Sequence, residues 1–136
     1  MAATMAQIRE GLAANLSVIS GVQVSAYMLA APTPPAIHVI PSEIAYDRAM
    51  HRGLDEVTMT VQAFVALGLD MGAQMLLDEL LAPSGATSVK AAIEADRTLG
   101  GVVQDVWVSA MNGYTVVAIA DRGQLLTASW TVQVRS

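Results

Sequence analysis

Glu43, Asp47 and His51 recur at intervals of four residues, the spacing that stacks side chains on one face of a helix. Two carboxylates and an imidazole so arranged could hold a metal ion or share acid–base work. Tyr46, Arg48 and Arg52 are interleaved with them, and a mixed carboxylate, arginine and histidine cluster is ordinarily solvated or paired across an interface. With Gly53 behind the cluster, residues 42–54 read as a polar loop with at most one helical turn. The expectation is a contact surface there, and no bound metal or other cofactor.

The remaining chemistry-bearing residues form no constellation. His38 lies in a short apolar run without an acidic residue two positions away, so it reads as a strand histidine with a backbone or solvent partner. Ser17, Ser20 and Ser25 lack the glycine-flanked elbow of a nucleophile, and no Ser-x-x-Lys occurs. Gly100-Gly101 precedes a strand pattern, and no Gly-Lys-Ser/Thr follows to cradle a phosphate. Asn15-Leu16-Ser17 matches the glycosylation pattern, but it falls inside a helical pattern and reads as a chance match. Met5, Met59, Met71 and Met75 fall on apolar faces, which points to core filling. Trp107 is different. It is out of phase with Val106 and Val108, so it should face the other side of the sheet, either exposed as a contact anchor or covered in a sheet buried on both faces.

The elements that would carry these residues follow from periodicity. Met5, Ile8, Leu12, Leu16 and Ile19 place a helix over residues 4–19, with Thr4 as N-cap and Gly21 as its stop. Alternation then marks a strand over Val22–Tyr27, Pro32-Thr-Pro-Pro35 reads as an extended connector, and a second strand spans Ala36–Ile40 and ends at Pro41. Glu56–Leu67 alternates most clearly, with Val57, Met59, Val61, Ala63 and Val65 on one side. Asp70 can cap a helix to Leu81 whose apolar side carries Met71, Met75, Leu76 and Leu80. Pro83-Ser-Gly85 ends it, and Thr87 or Ser88 caps a short helix to Asp96 with Val89 and Ile93 on one face. Strands over Val102–Ala110, Tyr114–Ala120 and Gln124–Val134 follow, divided by the hairpin signal Asn112-Gly113 and by Asp121-Arg-Gly123. In the last of them Ala128, Trp130, Val132 and Val134 share a face. The order expected is α-β-β-β-α-α-β-β-β, an α+β domain with an N-terminal helix and two further helices packed on a mainly antiparallel sheet. Residues 1–136 show no internal repeat and no natural dividing point, so they read as one domain.

Composition limits what such a domain does. Hydrophobic residues make up 54% of the 136 and charged residues 14%, against roughly 25% charged in ordinary soluble domains. No run approaches the length needed to span a bilayer, so no membrane role is expected, and the N-terminus lacks the pattern of a signal peptide. A surface this short of charge points to burial against other subunits. The formal net charge is −5, with seven Lys and Arg, a poor match for gripping phosphates but suited to a surface along which DNA slides. There is no cysteine, which removes thiolate metal sites and cysteine nucleophiles.

Taken over its full length, the chain resembles the tail terminator proteins, minor tail proteins of long-tailed, lambda-like bacteriophages. The likeness rests on the N-terminal helix ending at Gly21, Val22–Tyr27 with its Pro-rich connector, and the loop Ile44-Ala-Tyr-Asp47. It continues through Val61-Gln-Ala-Phe-Val65, Ala73-Gln-Met-Leu-Leu-Asp-Glu-Leu-Leu81, Ser88-Val-Lys-Ala-Ala-Ile93 and the final hairpin. The resemblance implies a ring, usually of six copies, that caps the tail tube, ends its elongation and presents a surface to the DNA-filled head. Its implied partners are copies of itself, the tail tube protein, a head-side connector or stopper, and genomic DNA passing through without specific binding. A head-closure or connector protein of the same neck region is the alternative it leaves open. Glu43, Tyr46, Asp47, Arg48, His51, Arg52 and Trp107 are the residues expected at subunit or tube contacts, and no catalytic activity is expected.

Overall fold

The computed structural model describes residues 4–19, 22–27, 35–45, 56–66, 72–85, 87–119 and 123–135. It is an α+β fold of three helices and a five-stranded mixed sheet, in the order α1 (Met5–Leu16), β1 (Gln23–Ser25), β2 (Ala36–Ala45), β3 (Glu56–Ala66), α2 (Gly72–Leu81), α3 (Val89–Glu94), β4 (Asp105–Ile119), β5 (Gly123–Arg135). The strands lie side by side as β1-β2-β3-β5-β4. Only β1 and β2 run parallel; the other neighbours are antiparallel.

The helices form where their sequence signals stand. Thr4 accepts the Gln7 N–H at 3.2 Å while the Gln7 side chain accepts the Thr4 N–H at 2.9 Å, a reciprocal cap that starts α1. Ile8, Leu12 and Leu16 then sit on one buried stripe. Ser88 caps α3 by accepting the Ala91 N–H at 3.1 Å, and it donates to the Ala82 carbonyl at 2.5 Å, which ties the end of α2 to the start of α3. Asn15, in the chance glycosylation match, is a tie between helices. Its amide donates to the Ile93 and Asp96 carbonyls at 2.9 and 3.0 Å, closing the C-terminus of α3 from α1.

All three helices contribute to one core with one face of the sheet. Val57, Met59, Val61, Ala63 and Val65 of β3, and Leu126, Ala128, Trp130, Val132 and Val134 of β5, join Ile8, Leu12, Leu16, Leu77, Leu80, Val89 and Ile93. α1 also approaches the turn after α3 closely. A Cβ on Gly11 would stand 2.8 Å from the Leu99 Cβ, so only glycine fits there. The opposite sheet face carries Thr58, Thr60 and Gln62 beside Ser129, Thr131 and Gln133, all half-buried. At one end of that face Ala36, His38, Phe64, Leu125 and Thr127 form a smaller buried patch.

Four expectations need correction. The nine-element order gives way to eight, because β4 runs unbroken through Asn112-Gly113. Asn112 pairs with Ser129 and Thr115 with Thr127, so Gly113 and Tyr114 share the space opposite Ala128. Gly113 takes φ +71°, the left-handed conformation that a tight turn and a glycine bulge both require. The bulge wins because both halves of β4 find continuous partners on β5, and the chain reverses between Ile119 and Gly123, which are paired directly. The second strand does not end at Pro41 either. β2 continues to Ala45, and Pro41 is tolerated beside a bulge and beyond the three residues that β1 covers, where β2 is a sheet edge and its nitrogen needs no partner. Met75 is not on the buried side of α2: it is 63% exposed, while Leu77 and Leu80 are buried, since α2 turns those two toward β3 and the core. The strand expected from Val102 begins only at Asp105, because Gly101 and Val103 donate to the Thr98 carbonyl and hold a turn. The expected stop at Gly21, the cap at Asp70, and Met71 lie outside the described residues.

Candidate assembly edge

Two of the residues expected at contacts can be placed. Glu43 is exposed on β2 and pairs with Thr58, directly after the bulge at Pro41. A strand alternates its side chains, so Glu43 does not begin a helical carboxylate face. Tyr46, Asp47, Arg48, His51 and Arg52 lie outside the described residues. Among the described residues no cluster of three His, Asp or Glu side chains could hold a metal ion.

Trp107 stands on β4 opposite Gln133, out of phase with the buried Val106 as expected, and is half-buried. Its ring is not bare. The Arg135 guanidinium lies 5.9 Å from the ring centroid, and Arg135 also reaches Glu56 at 3.5 Å. Around this pair opens a polar cleft of about 390 Å³ that includes Lys90, Glu94, Arg97 and Asp105. Arg97 grips Asp105 through two hydrogen bonds of 2.7 and 3.0 Å, which, more than its partial desolvation, hold the Asp105 carboxyl below the usual range. Burial pushes Glu94 upward, but hydrogen bonds from Lys90 and the Val108 N–H and the charges of Lys90 and Arg97 outweigh it, so its pKa is lowered. Each cation of the cleft thus has an anion of the same chain beside it, which makes the cleft a brace between α3 and the start of β4.

His38 has a side-chain partner in Gln62, which its place in an apolar run does not predict. It is 3% exposed, its Nε2 lies 3.0 Å from Gln62 Oε1, and its ring meets Phe64 edge-on at 5.1 Å. Gln62 passes the chain on by donating to Thr127 Oγ1 at 3.1 Å. Desolvation lowers the imidazole pKa, against the opposing effect of Gln62. This network ties β2, β3 and β5 together on the face that no helix of the described residues covers.

The exposed end of β4 has fewer such internal ties. Every side chain from Ser109 to Val116 is exposed, including Met111, Tyr114 and Val116 at 39%, 41% and 44%. β4 is an edge of the sheet. Next to it, Leu81 at the end of α2, Pro83 beyond it, Met111 on the strand and the buried Trp130 frame a mainly apolar groove of about 210 Å³ that Lys90 of α3 also lines. Asp78 of α2 stands against Tyr114 and, with partial desolvation as the larger cause, raises the phenol's pKa. No protein-family model matches the chain, and no curated protein matches it. The geometry therefore carries the functional reading.

A signal for this edge is present in the sequence. From Val106 to Ala120 no residue is charged, between Asp105 and Asp121. Reading Asn112-Gly113 as a hairpin divides that stretch into two short strands and hides it.

Proposed function

We propose that the chain is a structural virion protein, a tail terminator of a long-tailed bacteriophage, whose copies form a ring at the end of the tail tube. The ring, of six copies on this reading, ends tube elongation and joins the tail to the head-side connector, and genomic DNA passes through its hole unbound. The observation that carries the reading is the uncharged, exposed stretch Ser109–Val116 of edge strand β4 on a chain with only 14% charged residues. Such surface is expected where subunits meet and is a liability on a lone molecule. Two further features support it. Among the described residues, the sheet face away from the helices presents hydroxyl and amide groups of Thr58, Thr60, Ser129, Thr131 and Gln133, without the stripe of Lys and Arg that a nucleic-acid grip requires. The net charge of −5 likewise favours passage of DNA over retention. On this reading residues 42–54 meet the tail tube or a neighbouring subunit, the protein needs no cofactor, and its place is the virion after assembly in the host cytoplasm.

The test is antibody labelling of virions and of isolated tails. Labelling at the head-proximal end of tails is the expected result. Labelling confined to tail-less heads would move the protein to the connector side of the joint, and absence from both would end the reading.

A further inference from the structure

The chain has two asparagines, Asn15 and Asn112, and the fold treats them oppositely. Asn15 sits inside α1, where its amide nitrogen donates to the Ile93 and Asp96 carbonyls at 2.9 and 3.0 Å, and the buried Leu16 follows it. Asn112 is exposed on β4, its carboxamide has no hydrogen-bond partner among the described residues, and Gly113 follows it. The same dipeptide marks a step in register. Asn112 pairs with Ser129 and Thr115 with Thr127, so two residues stand where the ladder has room for one. Gly113 takes φ +71°, and apart from its chain neighbours the nearest atoms to where its Cβ would stand are Ser129 Oγ and Cβ, at 3.6 and 3.9 Å. β4 has a strand neighbour on one side only, and Asn112, Gly113 and Tyr114 are all exposed.

We propose that Asn112 is a site of self-modification, at which the Gly113 backbone nitrogen attacks the Asn112 side chain and its amide becomes a carboxylate. An asparagine carboxamide is short enough to meet a neighbouring backbone N–H. The Gly113 nitrogen bonds to Asn112 Cγ, the Cγ–Nδ2 bond breaks, and ammonia leaves with the proton given up by the Gly113 N–H. The cyclic imide that remains takes up one water. Opening at one carbonyl leaves aspartate at position 112; opening at the other leaves isoaspartate, with the main chain running through the former side chain. Water is the sole co-reactant. An extended backbone holds Asn112 Cγ away from the Gly113 nitrogen, so Asn112 must first turn about its own ψ. Within a regular central strand that turn would break the ladder on both sides. At Asn112 the adjoining bulge already interrupts the ladder, the strand is an edge, and the residue that follows has the widest backbone freedom of any. At Asn15 the helix and two side-chain hydrogen bonds fix the reacting groups apart.

The product changes the chain where it is least charged. No residue from Val106 to Ala120 is charged, and conversion places one carboxylate in the middle of that stretch, adding one negative charge to the formal −5. Charge on an edge strand is a device by which sheets discourage pairing with other strands, so the modified chain carries a blunted β4 edge.

The test ages dilute, folded protein at mildly alkaline pH beside the same protein in denaturing urea, with peptide mapping by mass spectrometry at intervals. In urea Asn112 is expected to convert to aspartate and isoaspartate. In the folded chain it is expected to convert within about a hundredfold of the urea rate, the mark of local opening at the edge in place of global unfolding, while Asn15 stays intact. Isoelectric focusing should show one new acidic band for the wild type and none for Asn112→Gln, whose longer side chain closes the imide poorly. If Asn112→Gln does not fold, the wild-type comparison decides alone. Folded protein that keeps Asn112 beyond that hundredfold margin would overturn the proposal. So would an unconverted Asn112 in urea, equal conversion of Asn15 in the folded chain, or an acidic band that persists in folded Asn112→Gln. The chemistry is independent of where the protein acts, so neither result bears on the tail-terminator reading, which virion labelling tests.

Discussion

Glu94 joins two elements through one carboxylate, holding Lys90 within α3 at 2.6 Å and the Val108 N–H of β4 at 3.0 Å, in the field of Arg97. Removing it leaves an edge N–H and a lysine without their acceptor. Glu94→Ala should cost about 1–2 kcal/mol, the range for a hydrogen bond to a charged group reduced by partial exposure, read from urea unfolding. Glu94→Gln should recover part of that. His38 gives a pH signature of its own. Burial lowers its pKa, so below the ordinary histidine value of about 6.5 the unfolded chain binds a proton that the folded chain resists. Stability is therefore full above that value and falls as pH drops through the window beneath it. Between about pH 7 and about pH 5 the melting temperature of the wild type should decline more than that of His38→Gln. Equal slopes would show that His38 does not titrate differently in the two states. Depressed carboxylates such as Asp105 add their own loss only at lower pH, as they protonate. The sequence places His38 on a strand, but its burial depends on Gln62, Phe64 and Thr127, and pairing across three strands has no short-range signature.

At the scale of elements, local pattern and tertiary pairing decide different things. Thr4 and Ser88 cap their helices through contacts within a few residues, and β3 and β5 alternate cleanly because one face is buried, so these are legible in the sequence. Met75 is not. Met75, Leu76, Leu77, Leu80 and Leu81 wrap more than half of α2, and only its neighbours choose which stripe turns inward. Asn112-Gly113 misleads for a physical reason, since a turn and a bulge ask the same φ of glycine and differ only in what the flanking runs pair with. Gly113→Val should accordingly destabilise the fold by about 1–2 kcal/mol through the left-handed backbone, while Gly113→Asn should cost markedly less. Both values come from chemical denaturation; equal losses would argue against the bulge. Gly11→Ala probes a different limit, overpacking against Leu99, with an expected cost of about 1–3 kcal/mol.

For the whole molecule, the α+β class and the buried faces of the core strands can be read from alternation and caps, whereas the contact surface cannot. On the proposed reading low charge calls for a covered surface without saying where, and the expected cluster at residues 43–52 competes with a β4 edge that emerges only once the strand is continuous. A neutral sheet face and a net charge of −5 further predict that the isolated protein does not retain duplex DNA at physiological salt; tight binding in a filter or mobility assay would contradict a conduit. Above all, the chain should work as a closed assembly of identical copies. Native mass by light scattering over a concentration series, with electron microscopy of the heaviest fraction, decides this. A defined multiple of 14.2 kDa and annular particles with a central hole are expected; a mass of 14.2 kDa at every concentration would refute the closed assembly.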